Sequence, residues 1–229
     1  MVQMTKRVLS IIPARGGSKG ILRKNIIDLA GKPLIAWSIE ASQASVYINT
    51  TVVSSDDEEI LDIAKKLGAK ILKRPALLAT DEADSQSVVL HTLETLRERG
   101  EEYDYIILLQ PTSPLRTSQD IDEAFDTLLE SSATALISVM EIDNKILKAF
   151  KKNTEGFIEG VANNHYPFMR RQELPETYLS NGAIYIIEIE AFMREKSFLT
   201  DKTISYCMSS VKSLDIDTLE DLIKVENVI

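Results

Sequence analysis

VLSIIPARGGSKGILRKN, Val8–Asn25, decides how the rest of the chain is read. Val8 to Ile12 is an apolar run of the kind that forms a parallel strand buried on both faces. Gly16, Gly17 and Gly20 follow at once, interleaved with the cations Arg15, Lys19, Arg23 and Lys24. Glycine lets the backbone curl and bring its N–H groups against an anion. Dense positive charge beside such a backbone is what a triphosphate requires. The stretch is not the common phosphate loop, because Lys19 is followed by Gly20 where that loop carries Ser or Thr. Taken alone, it reads equally well as a solvated basic turn at a strand end.

The pattern beyond it repeats strand and helix. Pro33 opens a helix through about Ala44, a residue tolerated in a first helical turn. Asn49 to Ser54 is β-branched and reads as a second strand. Ser55 and Glu58 have capping-box spacing ahead of Ile60, Ile63, Ala64 and Leu67, which recur on one helical face up to Gly68. Lys70–Leu72 is a short strand. A polar loop, Arg74–Asp84, leads to a helix carrying Val89, Leu93 and Leu96, and Tyr105–Leu109 is a further apolar strand. Ile121, Ala124, Phe125, Leu128 and Leu129 mark an amphipathic helix, followed by a strand over Ala133–Val139. Such alternation predicts an α/β fold with parallel pairing. From about Ile142 to Leu179 the chain turns irregular and polar, as an inserted arm. Ala183–Ile189 resumes the sheet, and Leu214–Asp217 with a C-terminal helix closes a single domain over residues 1–229.

Composition narrows the function. The 229 residues are 44% hydrophobic and 27% charged, with a net charge of −9. That charge argues against broad binding to nucleic acid or anionic membranes. No apolar run reaches the length of a membrane span. The single cysteine, Cys207, forbids an intrachain disulfide, which fits a reducing cytoplasm; it reads as a small buried hydrophobe. Trp37 and His91 read as structural, and His165 is given no role. Two scattered histidines and one cysteine support no nucleophilic triad.

In open α/β sheets, ligands sit beyond the carboxyl ends of the strands. The loops 13–25, 54–57, 74–85 and 110–116 all leave such ends. Arg74 reads as a phosphate contact or a strand terminus, and Ser85 as a nucleotide contact or a helix N-cap, a place Asp84 could also fill. Gln110 follows a buried strand, so its amide must find a partner. Arg116 reads as an anion ligand or as a residue of the next helix start. Asp215 and Asp217, two apart in an extended stretch, would present two carboxylates on one side. Mg²⁺ is held by one or two carboxylates together with substrate phosphates. Against this, Asp217 and Glu220 have the spacing of a helix cap.

IIPARGGSKGILRKN, KRPALLATDEADS, LLQPTSPLR, SNGAIYI and SLDIDTLEDL occur in this order, and together they resemble the acylneuraminate cytidylyltransferases over essentially the whole chain. The resemblance implies a three-layer α/β/α Rossmann-like nucleotidyltransferase fold with a mostly parallel sheet. It makes residues 142–180 a dimerisation arm of a homodimer. It also implies that CTP and a nonulosonic acid react with Mg²⁺ to give the CMP-sugar and pyrophosphate. The acid would be N-acylneuraminate, with legionaminic or pseudaminic acid, or more distantly 3-deoxy-manno-octulosonic acid, as alternatives. By the same resemblance Arg15, Lys19, Lys24 and Asn25 hold CTP, Arg74 and Ser85 face its cytidine side, and Asp215 and Asp217 hold the metal. Gln110, Arg171, Tyr185 and Lys148 would meet the sugar acid, and Arg15, Lys24 and Asp215 would be catalytic. The sequence departs from some members at Gly16 and Gly17, where they have polar residues, so those two positions could contribute only backbone. A non-catalytic nucleotide-binding module is the other reading, but such a module has no need of the aspartate pair.

Overall fold

A computed structural model describes residues 6–18, 20–80 and 82–229. In chain order these form β1 (Val8–Pro13), β2 (Asp28–Leu29), β3 (Lys32–Pro33), α1 (Leu34–Ala44), β4 (Thr50–Ser55), α2 (Glu58–Lys66) and β5 (Lys70–Lys73). There follow α3 (Ser85–Glu98), β6 (Tyr105–Leu108), α4 (Ser118–Leu129), β7 (Ala135–Ile142), β8 (Phe150–Lys152) and β9 (Ile158–Gly160). The chain ends with β10 (Thr177–Glu188), α5 (Ile189–Glu195), β11 (Thr203–Cys207) and α6 (Leu219–Glu226).

Seven strands form the central sheet in the order β11-β7-β10-β6-β1-β4-β5. β1 pairs in parallel with both β4 and β6, and β4 with β5. β10 alone runs antiparallel, between β6 and β7. Side chains alternate across β1: Val8 and Ile12 join the core under α1, α2 and α4, whereas Leu9 and Ile11 join the core under α3 and α5. Three layers result, as expected. A smaller third core joins Ile21, Leu29 and Leu34 to Ile216, Leu222 and Val225, fastening α6 to the glycine-rich loop.

Several boundaries differ from the sequence reading. The cap of α2 is Asp57, whose carboxylate accepts from the N–H groups of Glu59 and Ile60 at 3.0 and 3.1 Å. Ser55 cannot serve there, because its hydroxyl accepts from Asp57 N at 3.1 Å and the helix starts beyond it. Pro33 is the residue before α1 and not its first turn. β10 starts at Thr177, inside the stretch assigned to the arm, and carries an irregularity between Ser180 and Tyr185. Leu214–Asp217 joins no ladder. The strand in that part of the chain is β11, parallel to β7. Cys207 is exposed on this edge strand, and Met208 takes the buried place beside it.

Candidate functional site

β1, β4, β5 and β6 end side by side, so their following loops meet at one rim. The register brings Pro13 opposite Ser54 and Ser55 opposite Lys73. Beyond this rim lies a cleft of about 350 Å³, lined by Arg15, Lys24, Asn25, Arg74, Ser85, Gln110, Asp215 and Asp217 among others. Lys19 lies outside the described residues.

The glycine-rich loop is held from below. Asn25 is buried and its Nδ2 donates to Arg15 O at 2.9 Å. Arg15 Nη1 donates to Thr80 O at 2.9 Å across the cleft. Gly16 N donates to Asp56 Oδ1 at 3.1 Å, and a Cβ on Gly16 would stand 2.7 Å from Asp57 Oδ2. A Cβ on Gly20 would stand 2.2 Å from Asp217 O. Both positions need glycine for close approach; Gly17 has open space and no such need. Arg23 does not serve the cleft. It adopts a left-handed conformation with φ 55° and pairs with Asp57 and Glu59 at 3.0 and 2.9 Å.

Arg74 is 5% exposed, with Asp56 Oδ1 3.9 Å from its Nη2 and its Nε unpartnered. Burial holds its pKa below the ordinary value; Asp56 opposes this and Arg15 adds to it. A buried guanidinium with unused donors is prepared for an anion or a carbonyl. The neighbouring α3 directs its N-terminus at the cleft, an end that favours negative charge. Asp84 is its cap, accepting from Ser87 N at 2.7 Å, which leaves Ser85 free of that duty.

Lys24 Nζ donates to Ile216 O at 2.9 Å and to Asp217 Oδ1 at 2.8 Å. The cap of α6 is Thr218, closing a box with Asp221, so Asp217 is not the cap. Asp215 and Asp217 flank the fully buried Ile216, whose N–H donates to Thr112 O at 2.9 Å. Burial pushes the Asp215 carboxyl above the usual carboxylate range. The Thr112 hydroxyl opposes this, the charge of Asp217 adds to it, and Lys24 and Ser113 oppose it. A dication between the two aspartates would relieve both effects. Among the described residues no group of three His, Cys, Asp or Glu could enclose a metal alone. Asp215 and Asp217 offer two carboxylates, the number with which Mg²⁺ can be held when substrate phosphates supply further ligands.

A second cavity of about 360 Å³ adjoins the first and shares Gln110 and Asp215 with it. Its other residues include Met140, Leu179, Ser180, Asn181, Gly182 and Tyr185. The Tyr185 hydroxyl lies 3.0 Å from Ser180 Oγ. Gly182 has φ +74°, and a Cβ there would stand 2.5 Å from Gln110 Oε1. Thus the irregular turn of β10 makes room for the Gln110 amide.

Not every expected residue arrives. Arg171 lies in a separate cavity with Asp143, its Nη2 3.4 Å from the carboxylate. Lys148 lines neither of the two adjoining cavities. Arg116 is not an anion ligand. It is 2% exposed; its Nη1 donates to Ala183 O at 2.8 Å and Gln110 O at 3.3 Å and its Nη2 to Ser38 Oγ at 2.6 Å, while its buried Nε has no partner. Burial drags it down to about 10. Sequence reasoning missed Thr80, Thr112 and Ser113, each a small polar residue whose role is set by where a backbone turns.

Comparisons with known proteins show the family and the fold. A pseudaminic acid cytidylyltransferase of Campylobacter jejuni subsp. jejuni is 36% identical over 215 residues, covering 93% of this chain and 92% of that protein. An N-acylneuraminate cytidylyltransferase of Streptococcus agalactiae is 35% identical over 219 residues, 95% of this chain and 52% of that protein. A CMP-N,N'-diacetyllegionaminic acid synthase of Legionella pneumophila is 34% identical over 214 residues, covering 93% and 91%. The structure of a CMP:2-keto-3-deoxy-manno-octonic acid synthetase complexed with CTP superposes with a TM-score of 0.73, covering 97% of this chain and 98% of that one, at 16% identity. Residues 9–228 match the family model described as cytidylyltransferase. The chain belongs to the cytidylyltransferase family and is a nucleotidyltransferase.

Proposed function

We propose that this protein transfers the cytidylyl group of CTP to the anomeric C2 hydroxyl of a nonulosonic acid, releasing pyrophosphate. The observation that carries this reading is the pair of adjoining cavities whose seam is Gln110 and Asp215. CTP occupies the first and the acid occupies the second. The acid's hydroxyl then meets the α-phosphorus at the seam. The new bond is C2–O–Pα, the bond that breaks is Pα–O–Pβ, and pyrophosphate leaves.

Arg15, Lys19, Lys24 and the bare glycine backbone neutralise the phosphates. Such reactions depend chiefly on positioning and charge stabilisation. Arg74 and Ser85 face the cytidine side, and Gln110 orients the acceptor hydroxyls. Asp215 and Asp217 would hold Mg²⁺, which when bound supplies Lewis-acid polarisation of the phosphate oxygens. Lys24 already neutralises Asp217 before substrate arrives.

Arg171 and Lys148 reach no acceptor cavity of their own chain. The arm beside them leaves Phe157 68% and Phe168 82% exposed, with Ile158 at 64%. This apolar surface supports a homodimer in which arm residues complete the acceptor site of the second copy. No helix among the described residues is long and apolar enough to cross a membrane, and we assign the reaction to the cytoplasm.

The test is pyrophosphate release from CTP and Mg²⁺ with a panel of nonulosonic acids, for the wild type and Asp215→Asn. Release that requires both an acid and Asp215 supports the proposal. Release with no acid in the panel, or full turnover by Asp215→Asn, defeats it.

A further inference from the structure

Arg23 is one of three non-glycine residues with positive φ among the described residues, at φ 55° and ψ 37°. This left-handed region is costly for any residue with a side chain, because Cβ crowds the following carbonyl oxygen. Such strain persists only where the surroundings over-determine it, and it collects at functional sites. Two ties fix it here. Arg23 Nη2 donates to Asp57 Oδ1 at 3.0 Å and to Glu59 Oε2 at 2.9 Å, at the start of α2. Ile26 N donates to Arg23 O at 3.0 Å and closes the turn from its other end.

The turn sends neighbouring side chains to different partners. Arg23 reaches α2, whereas Lys24 reaches the cleft, its Nζ donating to Ile216 O at 2.9 Å and Asp217 Oδ1 at 2.8 Å. The Lys24 side chain is only 14% exposed. Asn25 follows and donates to Arg15 O at 2.9 Å. Gly20 already stands against the same segment, where an added Cβ would lie 2.2 Å from Asp217 O. Residues 20–25 are therefore pinned to residues 216–217 at both ends and reversed at Arg23. An ordinary negative φ at residue 23 would rotate Lys24 and Asn25 relative to Gly20, so these partners could not all be kept. The guanidinium itself is held by two carboxylates outside the cleft, which leaves its backbone as the part that bears on the site.

We infer that Arg23 is a positioning residue: clamped to Asp57 and Glu59, it holds a left-handed turn that aims Lys24 into the cleft, ready for the phosphates of CTP. This rests on the proposed reading of the cleft as the CTP site. The clamp sets the loop before the nucleotide arrives. A loop that adopts the competent turn only part of the time binds its ligand more weakly by that fraction. The intrinsic bias of a non-glycine residue against the left-handed region is a factor of roughly five to thirty. Without the two carboxylates to oppose that bias, the factor appears as lost affinity for CTP.

The experiment titrates CTP at fixed Mg²⁺ calorimetrically into the wild type, Arg23→Gly, Arg23→Ala and Arg23→Val, and into Lys24→Ala with and without Arg23→Ala. Thermal melts check that each variant is folded. The three substitutions at residue 23 all delete the guanidinium and differ in their tolerance of positive φ. Arg23→Gly should stay within about threefold of the wild type, whereas Arg23→Ala should bind roughly five- to thirtyfold more weakly and Arg23→Val at least as weakly as that. In the Lys24→Ala background, Arg23→Ala should add less than about twofold, since the two act as one unit. Equal weakening by Gly, Ala and Val overturns the inference, because lost charge then accounts for the effect. Wild-type affinity in Arg23→Ala overturns it as well. Full additivity with Lys24→Ala overturns the route through Lys24. A folded wild type that binds no CTP defeats the reading of the cleft on which the inference rests.

Discussion

Arg116 provides the most quantitative test of how the rim is built. It is wholly buried, with donors on Gln110 O, Ala183 O and Ser38 Oγ, so it ties the 110–116 loop to β10 and α1. Substitution by Met keeps most of the volume and removes every donor. Gln110 O retains longer contacts with Ser113 N and Ser38 Oγ, both at 3.4 Å, whereas Ala183 O loses a 2.8 Å partner. A buried acceptor left unsatisfied costs ~1–3 kcal/mol. One full and one partial loss come to ~2–4 kcal/mol. Relief from burying a guanidinium whose pKa is dragged down to about 10 returns part of this. The net expectation for Arg116→Met is a loss of ~2–3 kcal/mol. For a domain of this size that lowers Tm by ~5–10 °C. The assay is urea unfolding with a thermal melt, reading a lower midpoint at an unchanged slope. KM for the acceptor should rise as well, since Gln110 is part of the same loop. A stability loss under ~1 kcal/mol with unaltered KM would refute the reasoning.

Asp215→Asn should stabilise the empty protein at neutral pH while abolishing turnover. The Asp215 carboxyl is raised in the folded state, so the folded protein binds more protons than the unfolded one in that window. Stability contributed here falls as pH rises from the unfolded value, about 4, through the folded pKa; the gain from Asn should appear above that window and vanish below it in thermal melts across pH. Lys24→Ala should weaken CTP binding by roughly ten- to a hundredfold by calorimetry, the range for one charged hydrogen bond, and unchanged affinity would remove Lys24 from the phosphate site. Gly182→Ala places a Cβ 2.5 Å from Gln110 Oε1 at a φ of +74°, so it should cost ~1–3 kcal/mol of stability and raise the acceptor KM more than that of CTP. Thr218→Ala removes the α6 cap and should cost ~1 kcal/mol in urea unfolding, whereas Asp217→Ala should not act through a lost cap.

Periodicity carried most of the sheet. The strands through Val8, Val52 and Ile107 are apolar on both faces, which is what two covering layers of helices demand, and they were legible for that reason. β11 was not. Its TISYC sequence lies on an edge, half open to solvent, so burial leaves no pattern in it. The start of β10 was hidden because Tyr178 and Leu179 are exposed where the ladder with β7 extends beyond the body of the sheet. Of the residues whose chemistry is dense in sequence, Arg15, Lys24, Asp215 and Asp217 line the cleft, whereas Arg23 turns to Asp57 and Glu59. For Arg116 the sequence left two readings open, an anion ligand or a residue near the next helix start, and the fold supports the second: it stands just before the Thr117 cap of α4 and donates to three internal acceptors. Asp217 lost its rival explanation in the same way, once Thr218 proved to be the cap.

The central claim, that an acceptor hydroxyl attacks the α-phosphorus of CTP at the seam of the two cavities, can be tested with heavy-oxygen water. The anomeric C2 hydroxyl of the acid exchanges with solvent, so acid pre-equilibrated in that water carries the label into the reaction. Mass spectrometry of the products then reports which oxygen attacked and where. The account predicts one heavy oxygen in the CMP-sugar and none in pyrophosphate. Label in pyrophosphate, or in free CMP with no sugar conjugate, would contradict it.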